Sequence, residues 1–282
     1  MEIALAVIPL TGAFLFLTGK TALTAPENRR SNYRNRPVSR TGGLILYFSC
    51  LLALSIRLTG RGEELLLLET ALLLYLVSGL TLLGLADDLL GDSRSKGFKG
   101  HFRLLWQNRE ISTGFLKAAF GSLLALSAAA PLREGLLPLL VAAGVIALGA
   151  NTLNSLDLRP GRALKFFLAA AFLTLAVARN RGAVLLLMPF LAALPAYVPF
   201  EMKEDIMLGD SGAYLLGGAL GFTFAVYAPF PAQLAALALL LAFQAFCERH
   251  SFSRLVRRSN ILRFLDELGR VFREEEEDEQ EP

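Results

Sequence analysis

The sequence predicts an all-α polytopic membrane protein, a bundle of about nine transmembrane helices with active-site loops in the cytoplasm. Its composition is the first observation: 54% of the 282 residues are hydrophobic and only 19% are charged. The second is that the apolar residues gather in long runs, with a mean hydropathy of +0.49. A soluble domain of this length would not contain so many long apolar stretches, so the membrane class is favoured.

Nine apolar runs are candidate spans, several of them slightly shorter than the roughly 20 residues of a perpendicular span. They are 2–19, 43–60, 65–86, 113–130, 136–155, 164–179, 183–200, 212–229 and 232–248. The first run has neither a basic leader nor a clear small-residue cleavage site. We therefore interpret it as a retained first span and not as a signal peptide.

The basic residues between the spans predict the orientation of the bundle. Lysines and arginines are concentrated in the connections after spans one, three, five, seven and nine, whereas the other connections are short. Cytoplasmic loops carry an excess of Lys and Arg, so the N-terminus is expected outside and the C-terminus in the cytoplasm. This rule requires basic loops whatever the function, so they do not identify a site by themselves.

The chain divides into three predicted regions. Residues 1–250 form the transmembrane domain. In 251–273, apolar residues recur at helical spacing among arginines, which predicts a cytoplasmic amphipathic segment along the membrane surface. Residues 274–282 are acidic and are predicted to be a disordered tail. Cys50 and Cys247 lack metal-ligand spacing and are interpreted as packing residues.

Three polar clusters interrupt the apolar pattern, each at the boundary of a predicted span on the cytoplasmic side. Two adjacent carboxylates at the end of a membrane helix are costly unless they bind a metal ion, a proton or a phosphate-bearing substrate. The clusters are Asp87-Asp88, then Asn151, Asn154 and Asp157, then Gly209-Asp210-Ser211-Gly212.

The three clusters would support a specific chemistry if they converge. Asp87, Asp88 and Asp210 are the oxygen ligands that a hard cation such as Mg²⁺ prefers. The adjacent basic loops would attract a polyanionic substrate. Asn151 and Asn154 lie one helical turn apart and would read a sugar or a base by hydrogen bonds. The sequence therefore predicts a site for a nucleotide diphosphate with a lipid-accessible partner.

Five motifs occur in one order along the chain and resemble those of a known family. It is the polyprenyl-phosphate N-acetylhexosamine-1-phosphate transferase family, glycosyltransferase family 4, which includes the MraY-like and WecA-like enzymes. The resemblance covers about 34–218. Its motifs are Pro37-x-x-Arg40-x-Gly42-Gly43, Asp87-Asp88, Ser95-Lys96-Gly97 with Arg103-Leu104-Leu105 and Gln107, Asn151-x-x-Asn154-x-x-Asp157, and Leu208-Gly209-Asp210-Ser211-Gly212.

The resemblance implies roles for individual residues. Asp87 and Asp88 would be catalytic, one of them acting on the lipid phosphate as a base or helping to hold the metal, and Asp88 and Asp210 would be the metal ligands. The implied substrate-binding residues are Asn151, Asn154, Asp157, Lys96, Arg103, Arg159 and His250.

The resemblance also implies the reaction. A sugar-1-phosphate, expected to be N-acetylhexosamine-1-phosphate, would pass from a UDP-sugar to undecaprenyl phosphate with release of UMP, for synthesis of a cell-envelope polymer. Mg²⁺ is the implied cofactor, with Mn²⁺ as an alternative, and the implied location is the bacterial plasma membrane. The expected partners are the UDP-sugar, the polyprenyl phosphate lipid and the membrane. No nucleic acid is expected, and a homodimer is left open.

One segment departs from the family pattern. Where the family reads Asp-Gly-x-Asp-Gly-Leu, this chain continues from Asp157 as Leu-Arg-Pro-Gly-Arg, ending at Arg162. Arg159 and Arg162 would either contact phosphate or mark a changed substrate. The family's histidine-rich loop is reduced, and His250 is its one candidate here. These departures argue against the pentapeptide-carrying peptidoglycan precursor as substrate.

Two other classes of protein stay open, together with structural explanations of the clusters. A non-catalytic member of the fold, acting as a binding or regulatory partner, is favoured by the altered segment after Asp157. A transporter would need ionisable residues near mid-membrane, whereas here they gather at one face. The asparagines would equally serve as hydrogen bonds between helices. Asp210 would also suit the N-cap of span eight, which is compatible with metal binding.

Overall fold

The computed structural model of the protein describes residues 12, 29–31, 37–39, 42–59, 63–90 and 113–270. Several predicted features lie outside these residues: the first span at 2–19 apart from residue 12, the basic residues Lys96 and Arg103, and the acidic tail at 274–282. Within the described ranges the chain is almost entirely helical, in agreement with the predicted all-α class.

Two short strands precede the helix that begins at Gly42: β1 (Arg29–Ser31) pairs antiparallel with β2 (Pro37–Ser39). A 3₁₀ turn, Ala130–Leu132, follows the third helix. The helices whose bounds the structure describes are α1 Gly42–Thr59, α2 Glu64–Leu90, α3 Thr113–Ala129, α4 Leu136–Leu156, α5 Arg162–Ala178, α6 Arg181–Met202, α7 Gly209–Tyr227, α8 Phe230–Arg249, α9 Phe252–Arg258 and α10 Asn260–Glu267.

Helices α1 to α8 correspond in order to eight of the nine predicted spans. Six of the described helices are long and apolar enough to cross a membrane: α1, α2, α3 with its 3₁₀ turn, α4, α6 and α8. That α5, α7 and residues 2–19 also cross the membrane stays a prediction. The membrane class therefore stands, while the number of nine spans is not established.

Helix α7 lies at the centre of the bundle and packs most extensively against α4 and α2. Fourteen of its nineteen residues are buried. At the crossing with α4, a Cβ atom on Gly217 would lie 2.7 Å from the Cα atom of Ala150. Small residues at such a crossing let two helix backbones approach closely, as in many membrane bundles. The N-terminus of α7 is thereby placed among the ends of its neighbours.

Helix α8 lies at the periphery. Only Gln233 of its twenty residues is buried, although the helix is long and apolar. The short helices α9 and α10 follow after two residues and lie within the segment predicted to be amphipathic. On α10, Asp266 is buried while Ile261 and Phe264 are exposed, so the helix presents different faces to the bundle and to its surroundings.

Candidate active site

An ammonium group joins two carboxylates at one end of the bundle. The Lys117 side chain, near the start of α3, donates to Asp87 at the end of α2 and to Asp210 in the first turn of α7. Its Nζ atom lies 2.7 Å from Asp87 Oδ2 and 2.9 Å from Asp210 Oδ2. The three side chains are only about one-fifth exposed, at 18%, 20% and 21%. Partial burial strengthens these ion pairs relative to pairs on an open surface.

The neighbouring carboxylate, Asp88, caps α7. Its Oδ1 accepts from the backbone N–H of Asp210 and its Oδ2 from that of Ser211, both at 3.0 Å. The first N–H groups of a helix have no partner within the helix, and a negative charge is favourable at that end. These two hydrogen bonds offset the cost of burying Asp88, which is 7% exposed.

Glycines explain how the two helices come this close. A Cβ atom on Gly84, one turn before Asp88, would lie 2.5 Å from the carbonyl oxygen of Asp210. Gly209 has a φ of +69°, in the left-handed region that favours glycine, and this lets the chain turn into α7. The glycine that precedes Asp210 in the sequence motif is therefore required by the backbone conformation of this turn.

The asparagine cluster reaches the same place through Asn154. Its Nδ2 donates to Asp210 Oδ2 at 3.2 Å, so the polar ends of α2, α3, α4 and α7 meet. Asn151, one turn earlier, is exposed, and among the described residues no hydrogen bond joins its side chain to this group. The convergence predicted for the three clusters is thus seen, with Asn154 and not Asn151 in contact.

Asp157 follows α4 directly and is set among other acids. Its Oδ1 is enclosed and has no hydrogen-bond partner within the described part of the chain. Burial raises the pKa of the Asp157 carboxyl, and the negative charges of Glu201, Asp210 and Asp88 raise it further. Binding of a proton, a cation or a hydrogen-bond donor would offset the unfavourable burial of this carboxyl among other acids.

Glu201 is a member of this region that the sequence analysis missed. It is fully buried near the end of α6, and its Oε1 accepts from the backbone N–H of Gly161 at 2.7 Å. Gly161 has a φ of +74°, so the chain after Asp157 turns sharply at this contact. A lone carboxylate within an apolar stretch, Tyr197-Val-Pro-Phe-Glu-Met, was the available signal.

The two arginines of the altered segment contact the C-terminal helices. Arg162 Nε lies 2.6 Å from Asp266 Oδ1, and Arg159 Nη1 lies 3.4 Å from Asp266 Oδ2. Burial alone would raise the pKa of Asp266, but hydrogen bonds from Arg162 and the charges of Arg162, Arg270 and Arg159 outweigh it and lower the pKa. The predicted substrate contacts of these arginines stay predictions.

His250 stands at the end of α8, where it is exposed and its ring stacks on Phe246 with 5.1 Å between ring centroids. Within the described ranges, none of its contacts reaches the Asp87–Lys117–Asp210 group. Its role toward substrate therefore also stays a prediction, as do those of Lys96 and Arg103, which lie outside the described residues.

Some side chains at this end of the bundle carry oxygen donors of the kind that a divalent cation takes. Among the described residues no three histidine, cysteine or carboxylate side chains converge as a metal-binding group. Asp87 and Asp210 nevertheless converge on one cation, the Lys117 ammonium, and carboxylate oxygens from two helices are donors that Mg²⁺ accepts. Asp88, predicted as a metal ligand, uses both oxygens for the amides of α7. The donor chemistry fits a divalent cation best at Asp87 and Asp210.

Lys117 is the second residue that the sequence analysis missed as a site residue, because it was counted with the basic connection before span four. The signal was its position five residues into an apolar helix, where an unpaired ammonium is costly.

The chain matches a known protein family. The family model described as Glycosyl transferase family 4 matches residues 70–228, which is more than half of the chain and includes every member of the Asp87–Lys117–Asp210 group. No curated protein matches the chain.

Proposed function

Because the chain belongs to glycosyl transferase family 4, a family of polyprenyl-phosphate sugar-phosphate transferases, we propose that it transfers N-acetylhexosamine-1-phosphate from a UDP-sugar to undecaprenyl phosphate. The observation that carries this proposal is the convergence of Asp87, Lys117, Asp210 and Asn154 at one end of an apolar bundle. A lipid-borne phosphate and a water-soluble nucleotide sugar would meet at such a place.

The reaction exchanges one phosphoanhydride bond for another. An oxygen of the lipid phosphate attacks the β-phosphorus of the UDP-sugar, which carries the sugar, and a new P–O–P linkage forms. The bond between that phosphorus and the bridging oxygen breaks, and UMP leaves with the oxygen and its electron pair. Catalysis of such a transfer is mostly positioning and neutralisation of charge.

The residues of the site divide these tasks. Lys117 supplies a positive charge held between two helices, where it would offset the charge of a phosphate. Asp87 would help to hold the metal, because its neighbour Asp88 uses both carboxylate oxygens to cap α7. Asn154 would orient the donor by hydrogen bonds while its contact with Asp210 fixes its own position.

A divalent cation would bind at Asp87 and Asp210. When bound, Mg²⁺ or Mn²⁺ neutralises charge on the diphosphate and on the leaving UMP. Asp88 acts, in this proposal, through its two hydrogen bonds to the amides of α7, which hold Asp210 in place.

The proposed setting is the cytoplasmic face of a bacterial plasma membrane, supported by the basic connections at the same end as the polar clusters. The product would enter synthesis of a cell-envelope polymer. The competing hypothesis of a non-catalytic member depended on the altered segment after Asp157. Contacts of Arg159 and Arg162 with Asp266 give that segment a structural explanation, which weakens the case for lost activity.

The proposal is tested by a transfer assay in detergent with undecaprenyl phosphate, Mg²⁺ and a panel of radiolabelled UDP-sugars, run beside Asp210→Asn. We expect label to enter the lipid phase from an N-acetylhexosamine donor and the variant to lose this transfer. Folded wild-type protein that transfers label from no donor would refute the enzyme assignment and favour the non-catalytic class.

A further inference from the structure

The structure assigns helices α9 and α10 as a clamp on the chain at 157–162, with Asp266 as its positioning residue. This inference rests on the proposed function, in which that loop follows Asn154 and carries Asp157 beside the site. It adds a role for a C-terminal region that lies outside the family match at 70–228.

Asp266 makes the central contacts of the clamp. Its carboxylate accepts two hydrogen bonds from Arg162, from Nε to Oδ1 at 2.6 Å and from Nη2 to Oδ2 at 3.1 Å. Two further arginines pair with Asp266 Oδ2: Arg270 Nη2 lies 3.2 Å from it and Arg159 Nη1 lies 3.4 Å from it. The Asp266 and Arg162 side chains are only 3% and 6% exposed. Bidentate pairing shielded from water is the strong form of this interaction.

Further contacts join the same two regions. Arg162 Nη1 donates to Ser253 Oγ of α9 at 3.1 Å, and its guanidinium lies 5.6 Å from the centroid of the Phe252 ring. Arg270 Nε donates to the carbonyl oxygen of Pro160 at 3.1 Å. The loop is therefore held by backbone and by side-chain contacts from both sides of the α9–α10 pair.

Lys165 completes the attachment from the first turn of α5. Its Nζ donates to the carbonyl oxygens of Leu265 and Asp266 at 2.9 and 2.7 Å. These are carbonyls of the last turn of α10, which lack partners within the helix and favour a positive charge. The docking of α10 onto the loop thus uses its C-terminus as well as its Asp266 side chain.

The opposite side of the loop is fixed by α6. Glu201 accepts from the Gly161 N–H at 2.7 Å. A Cβ atom on Gly161 would lie 2.3 Å from Met202 Cε, so the loop backbone packs directly against the end of α6. The segment between Asp157 and Arg162 is consequently held on one side by α6 and on the other by the α9–α10 pair.

The charge of Asp266 matters because its carboxylate contacts three arginines, Arg162, Arg159 and Arg270. Its removal would leave three guanidiniums close together in a mostly buried place, where uncompensated charge is strongly unfavourable. The loop would have to move to separate them, and Asp157 would move with it.

The test uses the full-length protein and Asp266→Asn, which removes the charge and keeps the shape. We expect the KM for the UDP-sugar to rise on the order of tenfold, because small displacements of substrate-positioning groups weaken binding, while kcat changes less. We also expect faster hydrogen exchange in peptides covering 156–166. Asp266→Glu, which restores the charge, should recover part of both effects.

A matched control is Glu267→Gln. Glu267 is the next residue on α10, is exposed and undergoes the same change of charge, so wild-type KM and exchange are expected. A double variant, Asp266→Asn with Arg162→Gln, should weaken UDP-sugar binding by less free energy than the two single variants together. The reason is that it also removes one of the guanidiniums that Asp266 balances.

Hydrogen exchange separates this inference from the proposed function. Unchanged KM and unchanged exchange at 156–166 in folded Asp266→Asn would overturn the clamp, even if the protein is an active transferase. Loss of thermal stability without either change would overturn it as well, since α9 and α10 would then be merely docked. Faster exchange at 156–166 in a protein that transfers no sugar would support the clamp and refute the transferase.

Discussion

The Asp88 carboxylate lies 3.0 Å from the backbone nitrogen of Asp210, so an acid at the end of one helix caps another whose own first acid faces Lys117. Two adjacent residues of α2 thus serve different partners. Asp87 contributes to an ion-paired group, and Asp88 fixes the helix that carries the group's second carboxylate.

Asp88→Asn and Asp210→Asn should both abolish transfer, with different effects on stability. An asparagine at 88 offers a single oxygen to two amides, so we expect a loss of about 1–3 kcal/mol. In Asp210→Asn, Lys117 keeps its pair with Asp87, and stability should change less. Thermal unfolding in detergent and the transfer assay measure the two effects. Retained transfer in either variant would refute the corresponding role.

Lys117→Gln should reduce kcat by roughly 100-fold or more, because a positioned charge that offsets developing negative charge is lost. It would also leave Asp87 and Asp210 without the ammonium between them. Lys203→Gln, at an exposed lysine after α6, is the matched control and should behave as wild type. Equal activity of the two variants would exclude Lys117 from the site.

Gly84→Ala should lower stability by about 1–3 kcal/mol, since the added methyl group would lie 2.5 Å from a backbone oxygen of α7. Gly121→Ala, in α3, is the control. Its Cβ atom would approach nothing closer than 3.8 Å, so the substitution should be tolerated. Similar unfolding temperatures for the two variants would show that α2 and α7 are not in the close contact described here.

The lowered pKa of Asp266 predicts a pH dependence. An aspartate in an unfolded chain has a pKa of about 3.9, so the ionised carboxyl stabilises the fold above that pH. The stabilisation is lost as the pH falls through the folded-state pKa. The difference in unfolding temperature between wild type and Asp266→Asn should therefore shrink between about pH 5 and pH 3. A constant difference over this range would contradict it.

The exposed apolar residues of α10 predict contact with lipid. Ile261, Phe264, Leu265 and Leu268 are spaced as one helical face and are 49–73% exposed. In a background without the single tryptophan (Trp106→Phe), the fluorescence of the tryptophan introduced by Phe264→Trp should be quenched in nanodiscs by lipids brominated near the headgroup. Glu267→Trp, on a polar face, should not be. Equal quenching of the Phe264→Trp and Glu267→Trp variants would show that the apolar face of α10 is not the face in contact with lipid.

The sequence was sufficient for the features that depend on local pattern. Apolar runs predicted α1 to α8, because a membrane helix needs a continuous apolar stretch whatever its neighbours are. The basic connections placed Asp87, Asn154 and Asp210 at one end of the bundle, and the structure brings them together.

Pairings between distant residues were beyond that pattern. Lys117 resembled the basic residues of the preceding connection, and its role appears only when α2, α3 and α7 are assembled. Asp266 stood among the acids of an amphipathic segment, yet its main partner lies 104 residues earlier in the chain. No periodicity encodes which of many arginines will meet a given acid, because that choice depends on how the helices dock.

The capping of α7 by Asp88 also bears on the order of assembly during synthesis. The two partners are 122 residues apart, and at translation rates of about 5–20 residues per second α2 leaves the ribosome several seconds before α7. During that interval Asp88 lacks the helix whose amides later satisfy its carboxylate and must stay in contact with water. The polar end of the bundle is thus completed late, when its central helix joins the others.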